Sequence, residues 1–321
     1  MYSFIVSIRN CLYDKNKIGL TRCNVPVISI GNLSVGGTGK TPFVMYLCKE
    51  LLEAGYKPAV IGRGYKRKGK GMVIVSDGSN IKANVKDSGD EMYLIARNFN
   101  IPIITNSKKF EAAKFVDNNF DIDFILVDDG FQHRKLHRDC DIVLISKQTL
   151  LHPYLLPIGR LREPLNSLKR ADIICLTKGA NLDLLKKNLS YKLYNELKEK
   201  LIIECKFSFK GVYNLFSSED IYINKGLPIF AIAGIAQPKS FFDMLILENY
   251  NIIDYRAYSD HQNYSIRDIN YIISIVKSRN IKYIAVTEKD AVKLKLFENE
   301  FITNGINVIV FKLDIVFEEI L

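Results

Sequence analysis

The sequence predicts an α/β protein of two domains, the larger built on a parallel sheet. Three observations carry the prediction. Short β-branched apolar runs alternate with amphipathic stretches along the chain, the pattern of strands covered by helices on both faces. The run at 25–30 leads through a glycine-rich turn into a helical periodicity, so one strand–turn–helix unit is explicit. Length agrees, since 321 residues at a typical ~150 per domain suggest two domains, and 48% apolar against 25% charged residues is a globular composition.

In chain order, the first element is a short amphipathic helix. Phe4, Ile5, Ile8, Cys11 and Leu12 recur at helical spacing, and Arg9, Lys15 and Lys17 supply positive charge. Two readings stand for it, a helix packed on its own domain and a helix lying in a membrane interface. It lacks the leading basic residues and the small-residue cleavage site of a signal peptide. No apolar run reaches the roughly 18–20 residues needed to cross a bilayer. Strands are expected at VPVISI (25–30), PAVIG (58–62), MVIV (72–75), IPIIT (101–105), DFILV (123–127), CDIVLI (140–145), ADIICLT (171–177) and LIIECKF (201–207). After Phe207 the text turns polar and loop-like, and fresh strands follow at 227–234, 282–287 and 306–313. The domains are therefore placed at 1–208 and 209–321, the first about twice the size of the second.

Charge and cysteine usage narrow the function classes. Forty-five Lys and Arg against 35 Asp and Glu leave +10, which favours an anionic partner: a phosphorylated small molecule, nucleic acid or an anionic membrane face. The six cysteines lie 12, 25, 92, 35 and 30 residues apart, without C-x-x-C or zinc-ribbon spacing, and read as reduced thiols of a cytosolic protein. His133, His137 and Cys140 form an incomplete ligand set flanked by Arg134, Lys135 and Arg138, whose charge would repel a cation, so structural zinc is discounted.

The chemistry begins at the glycine-rich turn. In VPVISIGNLSVGGTGKTPFVMYLCKELLEAG the pattern G-x-x-x-x-G-K-[ST] is met with Ser34 in place of its first glycine, followed by Val35, Gly36, Gly37, Thr38, Gly39, Lys40 and Thr41. Glycines let backbone N–H groups approach phosphate oxygens, and a helix N-terminus adds the positive end of its dipole. Lys40 is placed to reach the β- and γ-phosphates, and the Thr41 hydroxyl to ligate magnesium. Pro42, in the first helical turn, lacks only an N–H that would be unpaired there. The segment DFILVDDGFQH supplies the second part, with Asp128 and Asp129 at the carboxyl end of a buried strand, where open α/β sheets hold ligands. Adjacent carboxylates point in different directions, which leaves one for metal and the other for water or a neighbouring side chain. The expected fold is thus a P-loop nucleoside triphosphate hydrolase-type parallel-sheet domain with a second, smaller α/β domain. The guanine-reading [NT]-K-x-D is not met: Thr177-Lys178-Gly179-Ala180 lacks the Asp, and Thr287-Glu288-Lys289-Asp290 has the wrong spacing. ATP is favoured over GTP, a GTPase-like switch or metallochaperone being the alternative.

The runs IGNLSVGGTGKTP (30–42), GRGYKRKGKG (62–71), SGDE (88–91), LVDDGFQHRKLHRD (126–139), LLPIGRLREP (155–164), AIAGIAQPKSFF (231–242), SDHQNYS (259–265) and VTEKDAVKL (286–294) closely resemble, in order and over nearly the whole chain, the tetraacyldisaccharide 4′-kinase family of Gram-negative bacteria. The resemblance implies transfer of the ATP γ-phosphate, with Mg²⁺, to the 4′-hydroxyl of a tetraacylated glucosamine disaccharide 1-phosphate in lipid A synthesis. It also implies a peripheral enzyme, taken to be monomeric, on the cytoplasmic face of the inner membrane, with its site at a cleft that the smaller domain closes. By the same resemblance Asp90 works with His261 as the acceptor of the hydroxyl proton, a carboxylate oriented by a histidine. Without it, a lone histidine after Asp260 reads as a surface or loop residue. Glu91, Gln132, His133, Arg162 and Glu163 match positions around nucleotide and metal. Arg162 would stabilise the transferring phosphoryl group and Glu163 assist magnesium, or the two would pair with each other at a domain hinge. Arg63, Tyr65, Lys66 and Arg67 lie in a basic stretch that also holds Lys68 and Lys70. This is either a solvated loop or a site for the substrate 1-phosphate and anionic head groups. No nucleic-acid-binding module is recognisable, so nucleic acid is not expected as a partner.

Overall fold

The computed structural model describes residues 2–15 and 18–317. The side chains of Phe4, Ile5 and Ile8, which would carry the apolar face of the first helix, and all of Lys17 lie outside the described residues. The chain divides into two compact units, Met1–Phe207 with Ile315–Leu321 and Ser208–Asp314. The sequence assigns everything after 208 to the smaller domain, whereas the last residues belong with the larger unit.

In the first unit the order is α1 (Tyr2–Asp14), β1 (Val27–Asn32), α2 (Lys40–Glu53), β2 (Pro58–Gly62), β3 (Val73–Asp77), α3 (Val85–Ser88), α4 (Asp90–Asn98), β4 (Pro102–Thr105), α5 (Lys109–Asn119), β5 (Phe124–Asp128), β6 (Cys140–Ser146), α6 (Lys147–Leu151), β7 (Ile173–Thr177), α7 (Leu182–Asn188), α8 (Tyr191–Leu197) and the start of β8 (Leu201–Asn214). The strands lie in the order β8-β7-β6-β1-β5-β2-β4-β3, parallel except for β3, which runs antiparallel to β4. β1 sits between β5 and β6, with Ile30 opposite both Asp128 and Ile142.

The near-continuous apolar strands are explained by burial on both faces. Successive side chains point to opposite sides. Leu126 and Val60 therefore pack with Phe43, Val44 and Cys48 of α2 and with Met92 and Ile95 of α4. Their neighbours Ile125, Val127, Ala59 and Ile61 pack with Ala112, Ala113 and Val116 of α5. On that side of β6, Val143 and Ile145 meet Leu185, Leu193 and Leu197 of α7 and α8.

The second unit contains β9 (Ile229–Ala233), α9 (Pro238–Leu247), β10 (Ile252–Ala257), α10 (Ile266–Ser278), β11 (Tyr283–Thr287), α11 (Glu288–Leu294), α12 (Glu298–Thr303) and most of β12 (Asn307–Phe317). Its sheet is parallel in the order β10-β9-β11-β12. Ile269, Ile272, Ile273 and Val276 of α10 cover one face, and Phe241, Phe242 and Leu245 of α9 the other. α10 begins in a reciprocal cap, Ser265 accepting from the Asp268 backbone while Asp268 accepts from that of Ser265.

β8 continues through a stretch that reads as loop, because Phe209 and Val212 supply apolar contacts there: Phe209 lies 4.8 Å from the Phe311 ring, and Val212 is buried with it. No helix among the described residues is long and apolar enough to cross a membrane.

Candidate active site

The phosphate-binding loop lies between the carboxyl end of β1 and the start of α2, at the centre of the larger sheet. Gly39 caps the helix in the left-handed region at φ 98°, and a side chain there would collide with the Phe207 ring, so backbone conformation and space both require glycine. Gly36, at φ 112°, faces the Arg160 guanidinium in the same way. Inside the loop, Asn32 Nδ2 donates to Thr38 Oγ1 at 2.8 Å, and Thr177 Oγ1 donates to the Thr38 carbonyl at 3.0 Å. Ser34 is tolerated in a glycine position because it is buried with its hydroxyl 3.0 Å from that of Thr149. Val35 is exposed and its N–H donates to the Arg160 carbonyl, while Gly37 and Thr41 are half-buried.

β5 delivers the carboxylate pair directly beside this loop. Lys40 Nζ is 3.4 Å from Asp129 Oδ1. Arg162 grips the same carboxylate with both arms, Nη1 to Oδ2 at 2.9 Å and Nη2 to Oδ1 at 2.7 Å, and Nη2 also donates to Asn32 Oδ1. Asp129 turns the chain at φ 54°, a conformation that aspartate adopts more readily than most residues. Burial alone would raise its carboxyl, but Lys40 and Arg162 outweigh that and hold it well below the ordinary carboxylate range.

Asp128 is in the opposite situation. Burial, reinforced by the charge of Glu91, pushes its carboxyl up to about 7 against the pull of Lys40. Its Oδ1 is buried without a hydrogen-bond partner among the described residues. A buried carboxylate oxygen without a hydrogen-bond partner, close enough to Lys40 to feel its charge, fits a divalent cation. Among the described residues no cluster of three or more His, Cys, Asp or Glu could hold a metal by itself, so nucleotide oxygens would have to complete the shell.

Three residues that sequence reasoning missed brace these groups. Lys109, on α5, is 1% exposed and its Nζ donates to the carbonyls of Asp128 at 2.7 Å and Asp129 at 2.5 Å. Burial lowers its ammonium to about 8, opposed by the two aspartates. Its signal was available, since Lys109 falls in register with Ala112, Ala113 and Val116 on the buried face of α5. The others are Asn32, at the end of β1, and Arg160, against the loop.

The other expected residues divide. Glu91 lies close enough to raise Asp128, and Asp90 is the buried first residue of α4, its Oδ1 accepting from the Glu91 N–H at 3.0 Å. Gln132 Nε2 donates to the Asn32 carbonyl at 2.9 Å. Burial and the nearby Lys109 push His133 down to about 3, so its imidazole is neutral. Arg63 and Tyr65 are exposed in the basic loop, and Lys66 lies 6.0 Å from the Tyr65 ring centroid. Arg67 is used differently from the expectation: it donates to Thr105 Oγ1 at 2.7 Å and to the Gly71 carbonyl, folding the loop onto the end of β4.

Glu163 is engaged by side chains that the sequence did not indicate. It is fully buried, accepts from Asn10 Nδ2 at 2.7 Å and Arg170 Nη2 at 2.8 Å, and lies 3.5 Å from Arg9. Asn10 and Arg170 both donate to Oε2, whereas Oε1 is buried near Arg9 without a hydrogen-bond partner among the described residues. The arginines hold the carboxyl below its ordinary range against the opposing effect of burial. Arg162 and Glu163 do not pair with each other, Arg162 being committed to Asp129. Glu163 instead ties α1 to the larger unit, together with Arg134, which donates to the Asn10 carbonyl at 2.9 Å and pairs with Asp14 at 2.7 Å.

His261 belongs to the second unit, where it sits 8% exposed in the turn after β10 with φ 58°. Its Nε2 is 3.1 Å from Lys289 Nζ and 3.7 Å from Asp260.

A parallel sheet with a phosphate loop on its central strand, and a carboxylate pair on the next strand, defines a P-loop nucleoside-triphosphate-binding protein. The family described as tetraacyldisaccharide-1-P 4′-kinase matches residues 1–321, and the chain belongs to that family. It is 33% identical over 345 residues to the tetraacyldisaccharide 4′-kinase of Halothermothrix orenii, covering 98% of this chain and 86% of that protein. The corresponding protein of Pelodictyon phaeoclathratiforme is 37% identical over 297 residues, covering 90% and 83%. Among solved structures, the chain is similar to the "apo" form LpxK from Aquifex aeolicus in complex with ATP, with TM-score 0.77, 30% identity and coverage of 99% of this chain and 92% of that one.

Proposed function

We propose that this kinase transfers the γ-phosphoryl group of Mg-ATP to the 4′-hydroxyl of a tetraacylated glucosamine disaccharide 1-phosphate, in the synthesis of lipid A. The observation that carries the reading is the convergence of Lys40, Asp128 and Asp129 at the phosphate loop, in a chain that the family matches from end to end. The O4′–P bond forms as the bond from the γ-phosphorus to the β,γ-bridging oxygen breaks, and ADP leaves with that oxygen. Loop amides and Lys40 take the phosphate charge. Thr41 and Asp128 would hold magnesium, which neutralises β- and γ-phosphate charge when bound. Asp129 positions Lys40 and Arg162, and Arg162 meets charge developing on the transferred group.

Asp90 accepts the hydroxyl proton, and His261 assists it. In support, Asp90 is buried at the start of α4 and its orientation is fixed by Oδ1 accepting from the Glu91 N–H at 3.0 Å. Arg63, Tyr65 and Lys66, exposed in the basic loop, are suited to the substrate 1-phosphate, with Glu91 alongside the reacting group. The enzyme works as a peripheral protein on the cytoplasmic face of the inner membrane. In support, Cys11 and Leu12 of α1 are exposed while the helix is anchored through Asn10 and Arg9.

Incubation of the purified chain with Mg-ATP and detergent-dispersed tetraacyldisaccharide 1-phosphate should yield a product heavier by one phosphate on the distal sugar. Folded protein that leaves the lipid unmodified by mass spectrometry would remove the proposal. GTP should substitute poorly for ATP, and equal use of both would argue for a switch-like protein.

A further inference from the structure

The segment Thr287-Glu288-Lys289-Asp290 does not match the guanine-reading pattern, but two of its side chains act on His261 within the second unit, Lys289 directly and Asp290 through Gly234. Asp290 is 0% exposed. Its carboxylate accepts from Tyr264 Oη at 2.9 Å, from Thr287 Oγ1 at 2.7 Å and from the Gly234 N–H at 3.1 and 3.0 Å. Gly234 in turn accepts, through its carbonyl, the His261 N–H at 3.1 Å. A side chain at Gly234 would come within 2.8 Å of the Asp290 carboxylate and 3.1 Å of Gln262, so the relay tolerates no substitution there. The backbone of His261 is thereby held in a left-handed conformation that a non-glycine residue enters only when its surroundings impose it.

Lys289 acts on the ring of the same residue. Its Nζ is 3.1 Å from His261 Nε2, and its distance to Asp260 Oδ1 is 3.6 Å. An ammonium is a donor with no lone pair, so the ring nitrogen that faces it has to be the acceptor. In a neutral imidazole the proton then sits on the other nitrogen, the hydrogen bond at one ring position fixing what the other carries.

We propose that Lys289 and Asp290 are positioning residues for His261: Asp290 fixes its backbone through Gly234, and Lys289 fixes its neutral ring as the Nδ1–H tautomer, with Nε2 as acceptor. The consequence for catalysis rests on the reading of His261 given above. A histidine presenting Nδ1–H is a donor able to orient a carboxylate and leave its second oxygen for a hydroxyl proton.

The test is histidine-specific nitrogen NMR on the full chain, whose four histidines make the spectrum small and whose His261 signals are identified by their loss in His261→Asn. At a pH where the ring is neutral, the wild type should show a protonated Nδ1 and an unprotonated Nε2. Lys289→Met should move His261 to a majority Nε2–H population, and Lys289→Arg, which keeps a donor, should retain the wild-type form. Asp290→Asn should leave the tautomer in place but speed hydrogen exchange of the His261 amide at least tenfold. A wild-type Nε2–H ring overturns the proposal by itself, even if a variant fails to fold, and so does an unchanged tautomer in Lys289→Met. Kinase turnover of His261→Asn is measured in parallel. If it matches wild type while the tautomer result holds, the catalytic reading of His261 fails and the positioning relationship stands.

Discussion

The Lys40 ammonium lies 3.4 Å from Asp129 Oδ1, while Arg162 clasps both oxygens of that carboxylate. Lys40 and Arg162 are therefore both held by a single anion, in the turn that follows the neighbouring strand β5. Asp129→Asn keeps the shape but removes the charge, leaving Lys40, Arg162 and Lys109 to repel one another. Turnover should fall roughly 10–100-fold, the range for losing a group that orients functional ligands. Steady-state kinetics with saturating Mg-ATP checks this, and a change smaller than threefold would dissociate Asp129 from catalysis.

Glu163 allows a separation of structural from metal roles. It is buried with Arg170 and Asn10 of α1 on one carboxylate oxygen and Arg9 of α1 near the other. Glu163→Ala strands Arg170 without its partner, and breaking such a buried pair costs about 3–5 kcal/mol. Urea unfolding should register the loss, and α1 should become protease-sensitive. Mg-ATP affinity in the still-folded fraction should stay within threefold of wild type. A selective loss of magnesium dependence with unaltered stability would instead assign Glu163 to the metal.

Much of this site is legible in the sequence because its parts are local. Loop, lysine and helix are contiguous from Ser34 to Glu53, and Asp128-Asp129 follow directly on a strand whose apolar run announces it. What is not legible depends on which strands become neighbours. Nothing in the text pairs Arg162 with Asp129, because the contact exists only once β5 lies beside β1 and the 152–164 segment folds back, its Arg162 N–H donating to the Leu33 carbonyl at 2.6 Å. The partners of Glu163 were not legible for the same reason, being 153 residues away at Asn10 and seven away at Arg170. Lys109 was readable in principle from its place in an apolar helical register, but a charged residue there is ordinarily assigned to solvent. The strand β8 outran its prediction because Val212 is buried and Phe209 partly buried by tertiary contacts that override a polar local composition.

Gly39 tests the loop itself. A β-carbon at φ 98° carries backbone strain of order 1–3 kcal/mol and would also displace the Phe207 ring. Gly39→Ala should therefore weaken Mg-ATP binding at least tenfold, measured by titration with a fluorescent nucleotide, and the fold should survive as judged by circular dichroism. Phe207→Ala in the same background should recover part of the binding by relieving the collision. Absence of any recovery would place the whole effect in the backbone conformation.

Asp128 links the pH dependence of stability to the metal. Its carboxyl rises from an unfolded value of 3.8 to about 7 in the folded chain, chiefly through burial. A group raised in this way binds its proton more tightly when folded, so its favourable contribution is complete below 3.8 and is lost as pH rises through about 7. At pH 8 the metal-free chain thus carries a buried carboxylate with an oxygen that no described residue satisfies. Asp128→Asn removes that charge, and nucleotide-free Asp128→Asn should be more stable than wild type at pH 8 but not at pH 4.5. If the gain is about 1 kcal/mol, the melting temperature rises by roughly 2–4 °C. Mg-ATP should reverse the order at pH 8, stabilising wild type through the ionised carboxylate and the variant much less. Thermal melts of both proteins at the two pH values, with and without Mg-ATP, give the answer. If the variant is not the more stable one at pH 8 without ligand, the carboxylate is already satisfied in the apo chain, and its role as the protein's anionic magnesium ligand loses its physical basis.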